Sequence, residues 1–225
     1  MQFINDGPDV PDELLRAHEE GKVIFFCGAG ISYPAGLPGF EDLVKKIYKH
    51  NHTWREIDED TAFEHKQFDT TLDLLERRLP GGRARVLQAI YKALQPQNNI
   101  FSTHYALLRL GRNRDERLRL ITTNFDRLFH IASENDNSLK FESYEAPLLP
   151  IPKDNHWDGL VFLHGLLPEK YDEVGLNNLV VTSGDFGLAY LVERWAARFV
   201  SELFRNYTVC FVGYSLNDPI LRYMT

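Results

Sequence analysis

Short apolar runs alternate along the chain with polar stretches of helical period. Lys22 to Cys27 (KVIFFC) is apolar almost throughout and bounded by glycines, the pattern of a strand covered on both faces of a parallel sheet. Arg119 to Thr123 (RLITT), Leu160 to Leu163 (LVFL), Leu179 to Thr182 (LVVT) and Thr208 to Val212 (TVCFV) read the same way. Between them, Pro11 to Glu20 predicts a short helix, opened by a proline and acidic residues and ended by Gly21. Further helices are predicted over Phe40 to His50, Thr103 to Leu110 and, as one long amphipathic element, Phe186 to Arg205. From about Asn51 to Asn99 the pattern is polar and helical, with TTLDLLERRL and RARVLQAIYKAL on either side of Pro80-Gly81-Gly82 and no strand. Glu145 to Asn155, carrying three prolines, reads as a loop. The pattern predicts an α/β fold: a Rossmann-like parallel sheet flanked by helices, with a mainly helical insertion at about 51–99.

Composition narrows the classes. With 225 residues, 44% hydrophobic and 25% charged, the chain can bury a sizeable core and is not disordered. A net charge of −7 argues against broad, nonspecific binding to nucleic acid, so a phosphate ligand would need backbone donors. Arg112 to Arg119 (RNRDERLR), with acidic residues among its arginines, reads as a solvated turn. The two cysteines, Cys27 and Cys210, lie in apolar runs and read as buried, reduced thiols; a zinc site of paired Cys-x-x-Cys motifs is excluded by their number. The first residues, MQFINDGPDVPDELL, lack the basic start and apolar stretch of a signal peptide, and no run approaches the ~18 apolar residues of a membrane span. The expectation is a cytoplasmic protein with no membrane contact and no metal.

The ends of the strands carry the candidate chemistry. GAGIS (28–32), TTNFD (122–126), HG (164–165), TSGD (182–185) and GYSLND (213–218) each follow an apolar run, and in an open parallel sheet the ligand crevice lies at those ends. Gly28 and Gly30 would let backbone N–H groups approach an anion, as in a diphosphate cradle; a tight strand-to-helix turn is the alternative. Gly28, Gly30 and Gly36 do not make the G-x-G-x-x-G fingerprint, and no second strand ends in an acidic residue about 20 positions on, which disfavours hydride transfer.

Four of these blocks in order, GAGIS with the following GLPGF, TTNFD, HG and GYSLNDP, resemble the sirtuin, or silent-information-regulator, superfamily, and within it the NAD hydrolase domains of bacterial antiphage systems. The resemblance implies NAD as substrate. It implies that Gly28, Ala29, Gly30 and Ser32 surround the phosphates and that Phe40 borders the reacting ribose and nicotinamide. Asn124 would orient the ribose and the attacking water, Asp126 would contact the nicotinamide amide, and His164 would act on the ribose hydroxyls as polarising group or general base. Gly213, Ser215 and Asp218 would hold the adenosine half, with Asn217 able to stand in for Asp218. Deacylase sirtuins continue the first turn as Gly-Ile-Pro-Asp-Phe-Arg and carry a four-cysteine zinc module; here the turn reads Gly36-Leu37-Pro38-Gly39-Phe40-Glu41 and the module is missing. Both departures favour hydrolysis over acyl transfer.

The residues themselves are compatible with that chemistry. Cleavage of the nicotinamide–ribose bond develops positive charge on the ribose and releases a neutral group, so positioning and electrostatics should dominate. An imidazole can take a hydroxyl proton, and an amide can orient water. Structural roles stand beside these: His164 as a core histidine, and Asn124 or Asp126 as the cap of a helix beginning near Phe125. In LVVTSGDFGLAYL, Asp185 with Tyr190 could reach the crevice; the segment is read instead as a strand and a helix start capped by Ser183 or Asp185, and neither Asp185 nor Tyr190 is assigned to the site. Because Ile220, Leu221 and Met224 fit an opening helix, the chain reads as the N-terminal part of a longer polypeptide. The expected activity is NAD hydrolysis gated by homo-oligomerisation or by an attached regulatory domain or partner, with abortive infection as its outcome. A noncatalytic NAD or ADP-ribose sensor is the alternative, and a zinc-free deacylase or ADP-ribosyltransferase the third reading.

Overall fold

A computed structural model describes residues 2–3, 5–134, 136–152, 157–215 and 219–224. Five parallel strands form one sheet in the order β3-β4-β2-β1-β5, where β1 is Val23–Cys27, β2 Arg119–Thr122, β3 Ser143–Glu145, β4 Gly159–Phe162 and β5 Thr208–Val212. The chain is therefore an α/β protein of Rossmann-like architecture. Side chains alternate between the two faces of the sheet, as a pleated strand requires. Ile24, Phe26, Ile121 and Val161 pack on one side with Phe199, Val200 and Leu203. Cys27, Leu120, Leu160 and Phe162 pack on the other with Leu107, Leu108, Phe129 and Ala132. The helices behind these contacts are α10 (Trp195–Asn206) on the first face, and α6 (Ser102–Leu110) and α7 (Leu128–Ser133) on the second.

Helix α1 (Asp12–Glu19) leads into β1 through Gly21 at φ +68°. After β1 comes a 3-10 turn at Ala29–Ala35, then α2 (Phe40–His50), whose acidic first turn and basic last turn suit the helix dipole. The helical stretch resolves into α3 (Ile57–Glu64), α4 (Phe68–Arg78) and α5 (Gly82–Ala93). These build a core of their own with α2, in which Val44, Ile47, Leu72, Leu75, Val86 and Ile90 are fully buried. Phe40 and Phe125 pack against that core from the ends of the strands. The remaining elements are a 3-10 turn at Asn137–Leu139, α8 (Glu173–Leu176), α9 (Ser183–Phe186), a π-helix at Gly187–Val192, and α11 (Pro219–Met224).

Four expectations are corrected. Leu179 to Thr182 is buried but pairs with no strand among the described residues. Its N–H groups at Val181 and Thr182 donate instead to Asp185 Oδ2 (3.0 and 2.9 Å), and Val180 N–H donates to the His164 carbonyl (2.9 Å). The helix start there is capped by Thr182, with Asp185 closing the reciprocal box, rather than by Ser183 or Asp185 alone. The single helix over Phe186 to Arg205 is broken: α9 widens into the π-helix, and Arg194 at φ +62° separates that from α10. Finally, Ser143–Glu145 at the edge of the proline-bearing segment is a strand. Cys27 is buried as expected, whereas Cys210, on edge strand β5, is half-buried. Among the described residues no helix is long and apolar enough to cross a membrane.

Candidate active site

A two-lobed cleft opens at the C-terminal ends of β1, β2 and β4. The inner lobe, about 80 Å³, is lined by Ser32, Asn124, Asp126 and His164 among others. The outer lobe, about 300 Å³, is lined by Gly28, Gly30, Gly213 and Ser215. Ala29, Gly39 and Phe40 line both, so Phe40 stands where the two lobes meet. Every residue that the motifs nominate is thus on this cleft except Asp218, which lies with Asn217 outside the described residues.

The glycines do more than expose backbone. Gly28 N–H donates to the Val212 carbonyl (3.0 Å) and Gly30 N–H to the Gly213 carbonyl (2.8 Å), so both donors are engaged within the protein. A Cβ on Gly30 would stand 2.8 Å from the Gly213 oxygen, and one on Gly213, at φ +58°, would stand 2.5 Å from Ile31 N. The loops after β1 and β5 interlock, and glycine is needed at the contact. Of the tight-turn and phosphate-cradle readings, this geometry gives the first a definite structural basis.

Beneath the inner lobe lies a buried polar network. Thr122 Oγ1 donates to the Cys27 carbonyl (3.2 Å) and accepts from Asn124 N–H (3.1 Å), which fixes the turn after β2. Asn124 Nδ2 donates to the Gly28 carbonyl and to Ser32 Oγ, both at 3.2 Å. Ser32 Oγ in turn donates to Asp126 Oδ2 (2.9 Å), while Asp126 Oδ1 accepts from Leu128 N–H (3.0 Å), a turn contact two residues on. The expected cap is not made: α7 starts at Leu128, its N-cap position is Arg127, and no side chain caps it. Burial raises the Asp126 carboxyl above the ordinary aspartate range, against the pull of these donors. His104 Nε2 stands 3.4 Å from Ser32 Oγ, and its Nδ1 is buried without a hydrogen-bond partner. Desolvation pushes His104 down to about 4, so it is neutral at pH 7.

His164 closes the inner lobe. It is 3% exposed, and burial alone lowers its pKa to about 3, so the imidazole is neutral at pH 7 and protonating it must offset the cost of a buried cation. Its Nε2 lies 3.0 Å from the Tyr190 hydroxyl, and Phe186 packs edge-on at 4.9 Å between ring centroids. The sequence reading left His104, Phe186 and Tyr190 outside the site. The first shares the buried stripe of α6 with Leu107 and Leu108, a lone imidazole on an apolar face; the other two stand four residues apart, a spacing that places them on one helical face. Among the described residues no group of three or more His, Cys, Asp or Glu could hold a metal ion.

Comparison with known proteins agrees with the motif order. Over 227 residues, spanning 100% of this chain, an uncharacterized protein of Sinorhizobium fredii, y4cA, is 37% identical; this chain covers 19% of that protein's length. Residues 118–225, which run from β2 through the His164-Gly165 turn to β5 and α11, match the family described as the SIR2-like domain, and it is to the sirtuin superfamily that this chain is similar.

Proposed function

We propose that this domain is an NAD hydrolase that cleaves NAD to nicotinamide and ADP-ribose. The observation that carries the reading is the meeting of Asn124 and His164 on one inner lobe, which shares Ala29, Gly39 and Phe40 with an outer lobe on the side of Gly213 and Ser215. Asn124 holds the protein with its amide nitrogen, which leaves its carbonyl oxygen to accept a hydrogen from water. In the reaction the electron pair of the nicotinamide–ribose bond leaves with the nicotinamide nitrogen, and the water oxygen bonds to the ribose carbon. The proton released passes to the neutral imidazole of His164 and then to solvent. Ser32 and Asp126 position Asn124 and face the nicotinamide end; Ala29, Ser215 and Asp218 contact the phosphates and adenosine, while Gly28, Gly30 and Gly213, with the Gly28 and Gly30 N–H groups engaged within the protein, shape the wall beside them.

Unrestrained hydrolysis would exhaust NAD, so we propose a gated effector of antiphage defence that acts in the cytoplasm by NAD depletion. The gate is homo-oligomerisation or an attached regulatory domain. A longer polypeptide suits that gate, as does the far greater length of the relative from Sinorhizobium fredii.

Nicotinamide release from NAD, measured over a protein concentration series with Asn124→Ala and His164→Ala alongside, tests the reading. The expected result is release that rises with assembly and falls by about 10²–10⁴-fold in His164→Ala. A folded protein that binds NAD and releases no nicotinamide in any assembly state would sink it. One observation favours that second reading, a sensor: Asn124 Nδ2 and His164 Nε2 are both engaged within the protein.

A further inference from the structure

Tyr190 sits on the inner side of the π-helix Gly187–Val192, where it is 1% exposed, while Leu188, Leu191 and Val192 of the same element face solvent. The widened turn follows directly on Phe186, and the rings of Phe186 and Tyr190 stack at 5.9 Å and 25°. Phe186 is backed by Tyr223 of α11, stacked on it at 5.4 Å and 11°. His164 therefore meets a rigid aromatic wall, with Phe186 fixing the ring plane and Tyr190 fixing one ring nitrogen. π-turns inside helices occur often at functional sites, because the extra residue re-aims a side chain.

We propose that Tyr190 is a positioning residue for His164, keeping the Nε2 hydrogen on the phenol oxygen and so presenting the Nδ1 lone pair to the cleft. The proposal rests on the reading of His164 as the base. A neutral imidazole carries one hydrogen, and the nitrogen opposite it is the one that can take a proton. Nε2 is on Tyr190, which leaves Nδ1 as the ring nitrogen with no hydrogen-bond partner among the described residues. With the hydrogen on Nε2, the phenol accepts and Nδ1 is basic. With the hydrogen on Nδ1, the phenol donates and the cleft faces a donor that cannot act as base. When Nδ1 takes a proton, the Nε2–H bond to the phenol becomes charge-assisted and strengthens, which offsets part of the cost of a buried imidazolium. In the accepting orientation the phenol fills the place that a carboxylate fills in a Ser-His-Asp triad, without adding a charge; unlike a carboxylate it can also donate, so the tautomer is the quantity to measure.

The test uses Tyr190→Phe in the full chain, which keeps the ring and the stacking and removes only the hydroxyl. Nitrogen-15 NMR of the ligand-free protein, with the His164 signals assigned by their loss in His164→Gln, should show a protonated Nε2 and an unprotonated Nδ1. In Tyr190→Phe the two tautomers should approach equal population. Nicotinamide release should keep the KM of the wild type while kcat falls about tenfold, the worth of one hydrogen bond. A wild-type ring protonated on Nδ1, an unchanged tautomer in Tyr190→Phe, or a kcat that is unchanged or rises would each overturn the proposal. Release that survives His164→Ala refutes the base reading instead, and the tautomer shift then still decides whether Tyr190 orients the ring.

Discussion

If the glycines after β1 and β5 exist to let two loops interlock, Gly30→Ala should weaken the protein with no ligand present. The added Cβ would lie 2.8 Å from the Gly213 oxygen and 2.9 Å from its Cα, backbone atoms that cannot rotate away. Relief means parting the loops by a few tenths of an ångström, and the β1–β5 register from Val23↔Thr208 to Cys27↔Val212 resists this up to the last pair before the loops. Overpacking of this kind costs about 1–3 kcal/mol, and loosening the 2.8 Å bond from Gly30 N–H to the Gly213 carbonyl adds about 1 kcal/mol. For a chain of this size each kcal/mol lowers Tm by about 2–4 °C, so a fall of roughly 4–16 °C is expected in a thermal scan of ligand-free protein. Gly213→Ala should be worse, because the φ of +58° adds about 1–2 kcal/mol of left-handed strain to a contact of 2.5 Å. Gly187→Ala is the internal control: nothing lies within 4 Å of the new Cβ, and Tm should hold or rise. A ligand-free Gly30→Ala protein that melts with the wild type and has lost only NAD binding would refute the interlocking argument and return the glycines to ligand approach alone.

Ser32→Ala strips Asp126 Oδ2 of a donor and Asn124 Nδ2 of an acceptor, both buried; urea unfolding should show a loss of about 1–3 kcal/mol. Arg222→Ala leaves the fully buried Asp69 carboxylate with Tyr223 and without its cation; since Arg222 is itself part-exposed, the cost should be about 2 kcal/mol, read as faster amide exchange along α11. Acid should destabilise the fold before most carboxylates titrate. His104, His130 and His164 are held below the ordinary imidazole range, at about 4, about 4 and about 3, so their contribution is whole above the unfolded value near 6.5 and is lost as pH falls toward those values. Each imidazole costs at most about 1.4 kcal/mol per pH unit in that window. Asp126 and Glu145, raised by burial, work the other way at lower pH, so urea midpoints from about pH 6.5 to 5 are the clean comparison. A midpoint that does not fall across that window would mean that these three imidazoles are hydrated in solution.

Three of the four strands that the sequence reveals are covered on both faces; the fourth, Thr208–Val212, lies at the sheet edge, half-buried or exposed, and shows through its apolar run TVCFV alone. Val23–Cys27, Arg119–Thr122 and Gly159–Phe162 are central and nearly all buried, which is why each reads as an unbroken apolar run. Ser143–Glu145 is only three residues at the sheet edge, half-buried or exposed, and leaves no such run. Leu179 to Thr182 shows the opposite confusion. Its apolar side chains serve two cores, Leu179 and Val181 in the helical one and Val180 beside the sheet, so burial matches that of a strand. What distinguishes it is where its N–H groups go, and a carboxylate four residues ahead at Asp185 can supply acceptors that a strand would find in a neighbour. The break at Arg194 was equally hidden, because neither glycine nor proline marks a left-handed residue there.

The candidate site divides along a similar line. Asn124, Asp126, His164, Gly28 and Gly213 were legible because parallel strands deliver their C-terminal ends to one rim, so adjacency in space follows from position in the strand pattern. The partners that set their chemistry come from helices, and nothing in a strand pattern says which turn of which helix will face the rim. His104 reaches Ser32 across 72 positions and Tyr190 reaches His164 across 26, each from the buried side of its own element. A polar ring on an otherwise apolar helical face was the available clue, and it became interpretable only once the opposing strand end was known. The motif residues bring the polar groups to the rim, while these helical partners pack against them from the buried side, where burial sets their protonation.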